Sequence, residues 1–148
     1  MNLEVAFDNS PSSIRAIQYA KKFASLCDML TVVYINPGII RTPTGADTIV
    51  PEAVFTDQEK FAEKVEESLK ELMNDTEMKY EFVKIDATGD EVAKKIIDIA
   101  AEKKVDFIIT GTRKLSGFSK FILGSVSSEI IKMANIPVLV VPPEDTGQ

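Results

Sequence analysis

The chain has no histidine and a single cysteine, Cys27, among its 148 residues. Without histidine it cannot build a Ser-His-Asp or Cys-His catalytic site, the usual zinc sites or a histidine general base. One cysteine cannot form an internal disulfide, and it suits a reducing compartment. Cys27 falls near the end of an apolar helical pattern, so we interpret it as a small core residue and not as a nucleophile. We therefore assign no catalytic and no metal-binding residue.

The chain also lacks an excess of positive charge and any long apolar run. A net charge of −6 and a pI near 4.8 argue against a broad surface for nucleic acid or anionic membrane. A small anionic ligand remains compatible, because a local loop can be electropositive on an acidic protein. No apolar run is long enough to cross a bilayer, and the N-terminus lacks the basic start of a signal peptide. We expect a cytoplasmic protein with neither nucleic acid nor membrane as partner.

Strand-like and helix-like apolar patterns alternate along the whole chain. Short apolar runs predict five strands, at Leu3–Phe7, Met29–Ile35, Tyr80–Ile85, Val105–Thr110 and Pro137–Val141. Apolar residues three or four positions apart predict four helices, at Ser12–Cys27, Thr56–Asn74, Glu91–Lys103 and Ser125–Asn135. Such alternation requires right-handed crossovers and a mainly parallel sheet covered on both faces. We predict one doubly wound, Rossmann-like α/β domain over residues 1–148, with five strands.

Two segments carry more local signals. Residues 36–55 contain Pro37, Pro43 and Pro51 and predict a long irregular excursion. That excursion is either a lid or interaction loop, or a variable surface insertion. A capping-box match, Thr56 to Glu59, predicts the start of the following helix, and Asp90 is the predicted N-cap of the next one.

A glycine-rich loop connects the fourth predicted strand to the last helix. Three of the seven glycines, Gly111, Gly117 and Gly124, fall within it. Backbone N–H groups can point inward at glycine, and a helix N-terminus adds partial positive charge, so the loop is a plausible phosphate cradle. In doubly wound sheets ligands bind at the carboxyl ends of the strands, where the strand order reverses. Neither the GxxxxGK[ST] loop nor the GxGxxG motif occurs.

The loop has a defined spacing: Gly111, two residues, Lys114, nine residues and then Gly124-Ser125. This spacing is similar to the pattern of the universal stress protein family, except that the family has glycine where this chain has Lys114. The opening run to Asp8 resembles the family's first strand with its aspartate. The run 136–141 resembles its last strand, so the resemblance covers essentially the whole chain.

The resemblance implies a pocket for an adenine nucleotide, ATP or AMP, with or without Mg²⁺. Asp8 and the backbone near Ile35 would contact the adenosine end. The residues implied around ribose and phosphates are Gly111, Gly124, Ser125 and Val126, and the loop cations Arg113 and Lys114 complete the candidate set. The resemblance also implies a homodimer paired through the C-terminal strand.

Each candidate has an alternative role. Asp8 could cap the first helix or stabilise its turn, Ser125 could be an ordinary N-cap, and Gly111 could only permit a sharp exit from its strand. Arg113 and Lys114 could be solvated surface charges. Lys114 could either fill the space of a phosphate or neutralise it.

Three functions are compatible with these residues: a regulatory module that binds adenine nucleotide, a slow ATPase, and a dimeric stress-response scaffold without nucleotide. A phosphoacceptor receiver domain is disfavoured, because Asp8 has no acidic neighbour and Pro142-Pro143 follows the fifth strand where a lysine would be needed.

Overall fold

The computed structural model describes residues 1–37, 52–89, 91–112 and 123–144. Strands and helices alternate, as β1 (Asn2–Ala6), α1 (Pro11–Lys21), β2 (Met29–Pro37), α2 (Glu52–Met73), β3 (Tyr80–Ala87), α3 (Glu91–Glu102), β4 (Phe107–Gly111), α4 (Ser125–Met133) and β5 (Val138–Val141). The strands form one sheet in the order β3-β2-β1-β4-β5, and every neighbouring pair is parallel. The predicted doubly wound α/β fold is confirmed.

The sheet separates two apolar clusters. Leu3 and Val5 of β1 pack with Ile17 of α1 and Leu69 of α2 on one face. The next residue of β1 on the other face, Ala6, packs against the cluster that α3 and α4 build. Because successive strand side chains point to opposite faces, a central strand that is covered on both sides is apolar at nearly every position.

Several predicted boundaries are wrong. The first helix ends at Lys21 and not at Cys27, because the chain continues in tight turns in which Phe23 N–H donates to the carbonyl of Ala20 at 3.0 Å. Cys27 is half-buried against the core, as interpreted. The predicted capping box does not start a helix, because α2 already begins at Glu52. The remainder of the predicted irregular excursion, residues 38–51, lies outside the described residues, as does Asp90.

The fourth strand begins two residues later than predicted. Lys104 has a left-handed backbone, with φ of 54°, and Val105 N–H donates to the carbonyl of Ala100 at 2.9 Å. This bond belongs to a Schellman motif that ends α3, so Val105 completes the helix exit and does not start β4. The last helix ends at Met133 rather than Asn135, and β5 starts at Val138, after Pro137.

Among the described residues, no helix is both long and apolar enough to span a membrane.

Candidate functional site

The strand order reverses between β1 and β4, and a cavity of about 410 Å³ lies at their carboxyl ends. From this point α1, which follows β1, packs on one face of the sheet and α4, which follows β4, packs on the other, so a crevice opens between the two helices. The described residues that line it come from six elements and the turns beside them: Ala6, Phe7, Asp8, Ser10, Ser12, Ser13, Val33, Ile35, Val92, Ile96, Thr110, Gly111, Gly124, Ser125, Val126 and Ser127.

Six of the eight residues singled out from the sequence line this one cavity. They are Asp8, Ile35, Gly111, Gly124, Ser125 and Val126. The other two, Arg113 and Lys114, lie outside the described residues. The fold thus brings together residues that are more than 100 positions apart in the chain.

Asp8 stabilises the turn between β1 and α1. Its Oδ1 accepts a hydrogen bond from Ser10 N–H at 2.9 Å, across Asn9, whose φ of 66° is left-handed. Asp8 is not the helix cap, since Ser10 holds that position and its Oγ accepts from Ser13 N–H at 3.3 Å. Burial raises the pKa of Tyr34, and the nearby charge of Asp8 raises it further. Asp8 thus places negative charge near the ends of both β1 and β2.

A cluster of hydroxyl groups occupies the start of α1. Ser10 Oγ lies 3.2 Å from Ser12 Oγ and 3.2 Å from Ser13 Oγ. Ser13 Oγ also donates to the carbonyl of Ser10 at 3.0 Å and accepts from Asp8 N–H at 3.3 Å. Ser12 and Ser13 were not singled out from the sequence, although a proline at the first helical position followed by two serines is typical of a helix start.

Gly111 is required by packing within the protein. A Cβ added there would lie 2.3 Å from the carbonyl oxygen of Ser12 and 2.7 Å from its carbonyl carbon. The end of β4 therefore touches the first turn of α1 so closely that only glycine fits. This is a packing role, and its cause is the close approach of two backbone segments rather than the sharp exit from the strand that the alternative interpretation supposed.

Gly124 differs from Gly111 because the space beside it is open. No heavy atom of the described residues lies within 4 Å of an added Cβ, and its φ of −63° suits any residue. Gly124 is the N-cap of α4, so the alternative interpretation of Ser125 as N-cap is wrong: Ser125 is the first helical residue. The first N–H groups of a helix have no partner within the helix. Those of α4 belong to residues that line the cavity.

Buried hydroxyl groups attach the start of α4 to the end of β4. Ser127 Oγ lies 3.2 Å from Thr110 Oγ1 and donates to the carbonyl of Gly111 at 3.3 Å. Both side chains are buried. Ser127 was not predicted as a site residue, because a polar residue in a helix ordinarily indicates a solvated face.

The apolar wall of the cavity was also missed. Val92 and Ile96 of α3 lie opposite Ala6 and Val33 of the sheet. From the sequence these residues were indistinguishable from core. Among the described residues there is no group of three or more histidine, cysteine, aspartate or glutamate side chains that could hold a metal ion.

Comparison with known proteins gives consistent matches along the chain. The family model described as "Universal stress protein family" matches residues 1–142. Universal stress protein YxiE of Bacillus subtilis is 31% identical over 144 residues, which cover 93% of this chain and 95% of the relative. A universal stress protein structure from Archaeoglobus fulgidus superposes with a TM-score of 0.70 at 26% identity, over 95% of this chain and 93% of that one.

Two further solved structures share the fold and contain nucleotides. A family protein from Arabidopsis thaliana with AMP bound has a TM-score of 0.66 at 16% identity, and covers 97% of this chain and 92% of its own. A universal stress protein in complex with cAMP has a TM-score of 0.65 at 18% identity, with 97% and 98% coverage. At these identities the likeness establishes the common fold.

Proposed function

Because the chain belongs to the universal stress protein family, we propose that it is a regulatory module that binds an adenine nucleotide, ATP or AMP, in the cavity between β1 and β4. The observation that carries the proposal is the start of α4. There Gly124 and Ser125 open a nine-residue helix onto the cavity, and no other described residue comes within 4 Å of a Cβ added at Gly124. A helix N-terminus favours anions through its N–H groups and its dipole.

The phosphate end of the nucleotide would lie at this helix start. The N–H groups of Ser125 and Val126 are candidate donors, and the exposed Ser125 hydroxyl is a further one. The glycine at 124 leaves room for a phosphate to approach the backbone. We also assign Arg113 and Lys114 to the phosphates as cations of the adjoining loop.

The adenosine end would lie between the sheet and α3. Ala6, Val33, Val92 and Ile96 offer apolar surface for a base, and the backbone at Ile35 offers hydrogen-bonding groups. The Asp8 carboxylate accepts from Ser10 N–H through one oxygen, and a carboxylate has capacity for several donors, including ribose hydroxyl groups. The AMP and cAMP bound to proteins of this fold support an adenine ligand.

A Mg²⁺ ion would be held chiefly by the nucleotide's own phosphates, because no metal-binding cluster is present in the described part of the chain. The same lack of clustered acids and of histidine leaves no evident general base for hydrolysis. We therefore propose binding and signalling rather than catalysis, in the cytoplasm. The alternative, a scaffold without nucleotide, is favoured by one observation: packing against Ser12 alone accounts for Gly111.

The first test looks for the ligand itself. Freshly purified protein is denatured, and the supernatant is analysed by mass spectrometry for ATP, AMP and related nucleotides. Calorimetric titration of ligand-free protein with ATP, AMP and adenosine, with and without Mg²⁺, follows. We expect released nucleotide or binding of ATP or AMP in the micromolar range. No released nucleotide together with no binding heat would leave the scaffold as the function.

The second test assigns the phosphate end to α4. Gly124→Asn and Gly124→Asp both place a favoured N-cap residue into open space, so both variants should keep the melting temperature. We expect Asn to weaken ATP binding by steric obstruction. Asp should weaken it by about a further 10-fold, because its charge opposes the phosphates. Adenosine has no phosphate and should distinguish the two variants little. Equal ATP affinity in both variants and the native chain would place the phosphates elsewhere.

A further inference from the structure

A glutamate lies fully buried in the middle of the sheet. Glu4, on the central strand β1, has no solvent exposure. Neither of its carboxyl oxygens has a hydrogen-bond partner among the described residues. Buried carboxyl groups are ordinarily paired or hydrogen-bonded, because an isolated charge is very costly in an apolar medium. Glu4 is therefore the most unusual polar group in the described part of the fold.

The carboxyl group faces the layer formed by α3 and α4. Its register partners in the sheet are Thr31 on β2 and Ile108 on β4. Since Leu3 and Val5 belong to the opposite cluster, Glu4 shares its face with Ala6 and with the apolar residues of α3. Ala6, two residues further along β1, also lines the cavity.

The polar groups nearest to Glu4 in the register of the sheet are engaged with one another. The Thr31 hydroxyl donates to Glu81 Oε1 at 3.0 Å, and Glu81 lies next to Thr31 on β3. Lys103, directly after α3, contacts Glu81 Oε1 at 3.0 Å and donates to Glu81 Oε2 at 3.1 Å. Thr31, Glu81 and Lys103 thus form a linked group beside Glu4.

The remaining charged groups on the packed elements are satisfied elsewhere. Asp106, just before β4, accepts from the backbone N–H of Asn2 at 2.7 Å. On α4, Glu129 and Lys132 form an exposed pair at 3.8 Å, and the buried residues of that helix are Ser127 and Ile130. The charged residues within α3 from Glu91 to Glu102 are exposed, except for Lys95, which donates to the carbonyl of Asp86. In the described part of the chain no cation pairs with Glu4.

We propose that Glu4 is a protonation switch that couples the packing of α3 against the sheet to pH. The neutral acid fits the apolar layer. The carboxylate needs donors, and it can obtain them in two ways. Either Thr31 and Lys103 leave Glu81, or water enters between α3 and β1. Both routes loosen the packing of α3 against the sheet.

The position of Glu4 connects the proposed switch to the cavity through α3. Burial raises the pKa of Glu4 from 4.5 to about 8, which puts the transition near the mildly alkaline range. The helix that it loosens supplies Val92 and Ile96 to the cavity wall. The switch needs no bound nucleotide, so its test does not depend on the proposed function.

The test is hydrogen exchange by mass spectrometry on the ligand-free native chain and on Glu4→Gln. Comparison at one pH cancels the intrinsic dependence of exchange on pH. At about pH 9 we expect peptides of α3 to exchange about 10-fold faster in the native chain than in Glu4→Gln, and at about pH 6 equally fast. The control Glu71→Gln changes an exposed glutamate of α2 and should match the native chain throughout. Ratios that do not change with pH, or that change equally in α1 and α3, would overturn the proposal.

A second measurement does not depend on how the glutamine variant folds. Carboxyl carbons of ¹³C-labelled glutamate in the native chain are followed by NMR through a pH titration. We expect one resonance to titrate near pH 8 and to be absent from Glu4→Leu, which fills the same layer with an apolar side chain. If every glutamate titrates below about pH 6, close to the ordinary value, Glu4 is no switch.

Discussion

At the scale of single residues, Glu4 shows how the burial of one group can tie stability to pH. Burial raises the pKa of its carboxyl group to about 8 in the folded protein, and unfolding exposes this group to water. The unfolded chain therefore releases this proton near pH 4.5, whereas the folded chain retains it until about pH 8. In the window between these two values the unfolded state binds fewer protons than the folded state.

We expect the free energy of unfolding to fall as pH rises through this window. The contribution of Glu4 is fully present below pH 4.5 and is lost progressively up to about pH 8, with a slope that approaches 1.4 kcal/mol per pH unit. Urea unfolding followed by circular dichroism at several pH values measures it. The Glu4→Gln variant should lack this slope, while Glu71→Gln should keep it. Parallel curves for the native chain and Glu4→Gln would contradict the assignment.

At the scale of secondary-structure elements, the contact between β4 and α1 determines the shape of the cavity. Gly111 allows the end of β4 to lie against the backbone of Ser12. Ser127 then fastens α4 to the same strand end through the carbonyl of Gly111. Two helix starts are thus held on one strand, and both face the cavity.

We expect Gly111→Ala to destabilise the fold by about 3 kcal/mol, because the methyl group would overlap a backbone carbonyl that belongs to a helix. The midpoint of urea unfolding measures the loss. Gly124→Asn is the matched control, since no described residue lies within 4 Å of a Cβ added at that glycine, and the midpoint should stay within error. If both variants unfold at the native midpoint, β4 and α1 are not in the close contact described.

The sequence predicted elements better than contacts. Apolar runs identified all five strands, because a parallel sheet covered on both faces needs them. Contacts such as that between Gly111 and Ser12 join residues far apart in the chain, and local patterns carry no information about them. The ends of the elements were less predictable. The apolar spacing continues to Cys27 after α1 has ended. The left-handed position after α3 is occupied by Lys104 and not by glycine, which would have indicated the end of a helix.

The candidate site was predicted only in part, because local patterns do not indicate which distant residues come together. Asp8 lies in a turn and Gly124-Ser125 begins α4, where polar and small residues indicate a candidate site, and all three residues line the cavity. Ile96 lines it equally but reads as core, because burial against a ligand space and burial against protein need the same residue type. The burial of Glu4 could not be inferred either, since a single glutamate in a strand normally indicates an exposed position.

At the scale of the whole molecule, β5 is an edge strand, because it stands last in the strand order of the sheet. The inward side of β5 is used by β4: Ile108 N–H donates to the carbonyl of Pro137 at 3.0 Å, and Thr112 N–H to that of Val141 at 3.0 Å. By the alternation of a parallel ladder, the backbone groups of Val138 and Val140 point away from β4. A strand with such groups and an apolar sequence is a template for pairing with another chain.

We propose that two copies of the chain pair through this outer edge of β5, and we expect Val140→Pro to abolish the dimer. Proline removes an outward N–H group but leaves the ladder with β4 intact, so the monomer should stay folded. Light scattering after size exclusion should give twice 16.3 kDa for the native chain and 16.3 kDa for the variant, with unchanged circular dichroism. Ile131→Lys alters an exposed apolar residue of α4 and should remain dimeric. A monomeric native chain would contradict the proposed dimer. A dimer lost in Ile131→Lys and kept in Val140→Pro would place the interface away from β5.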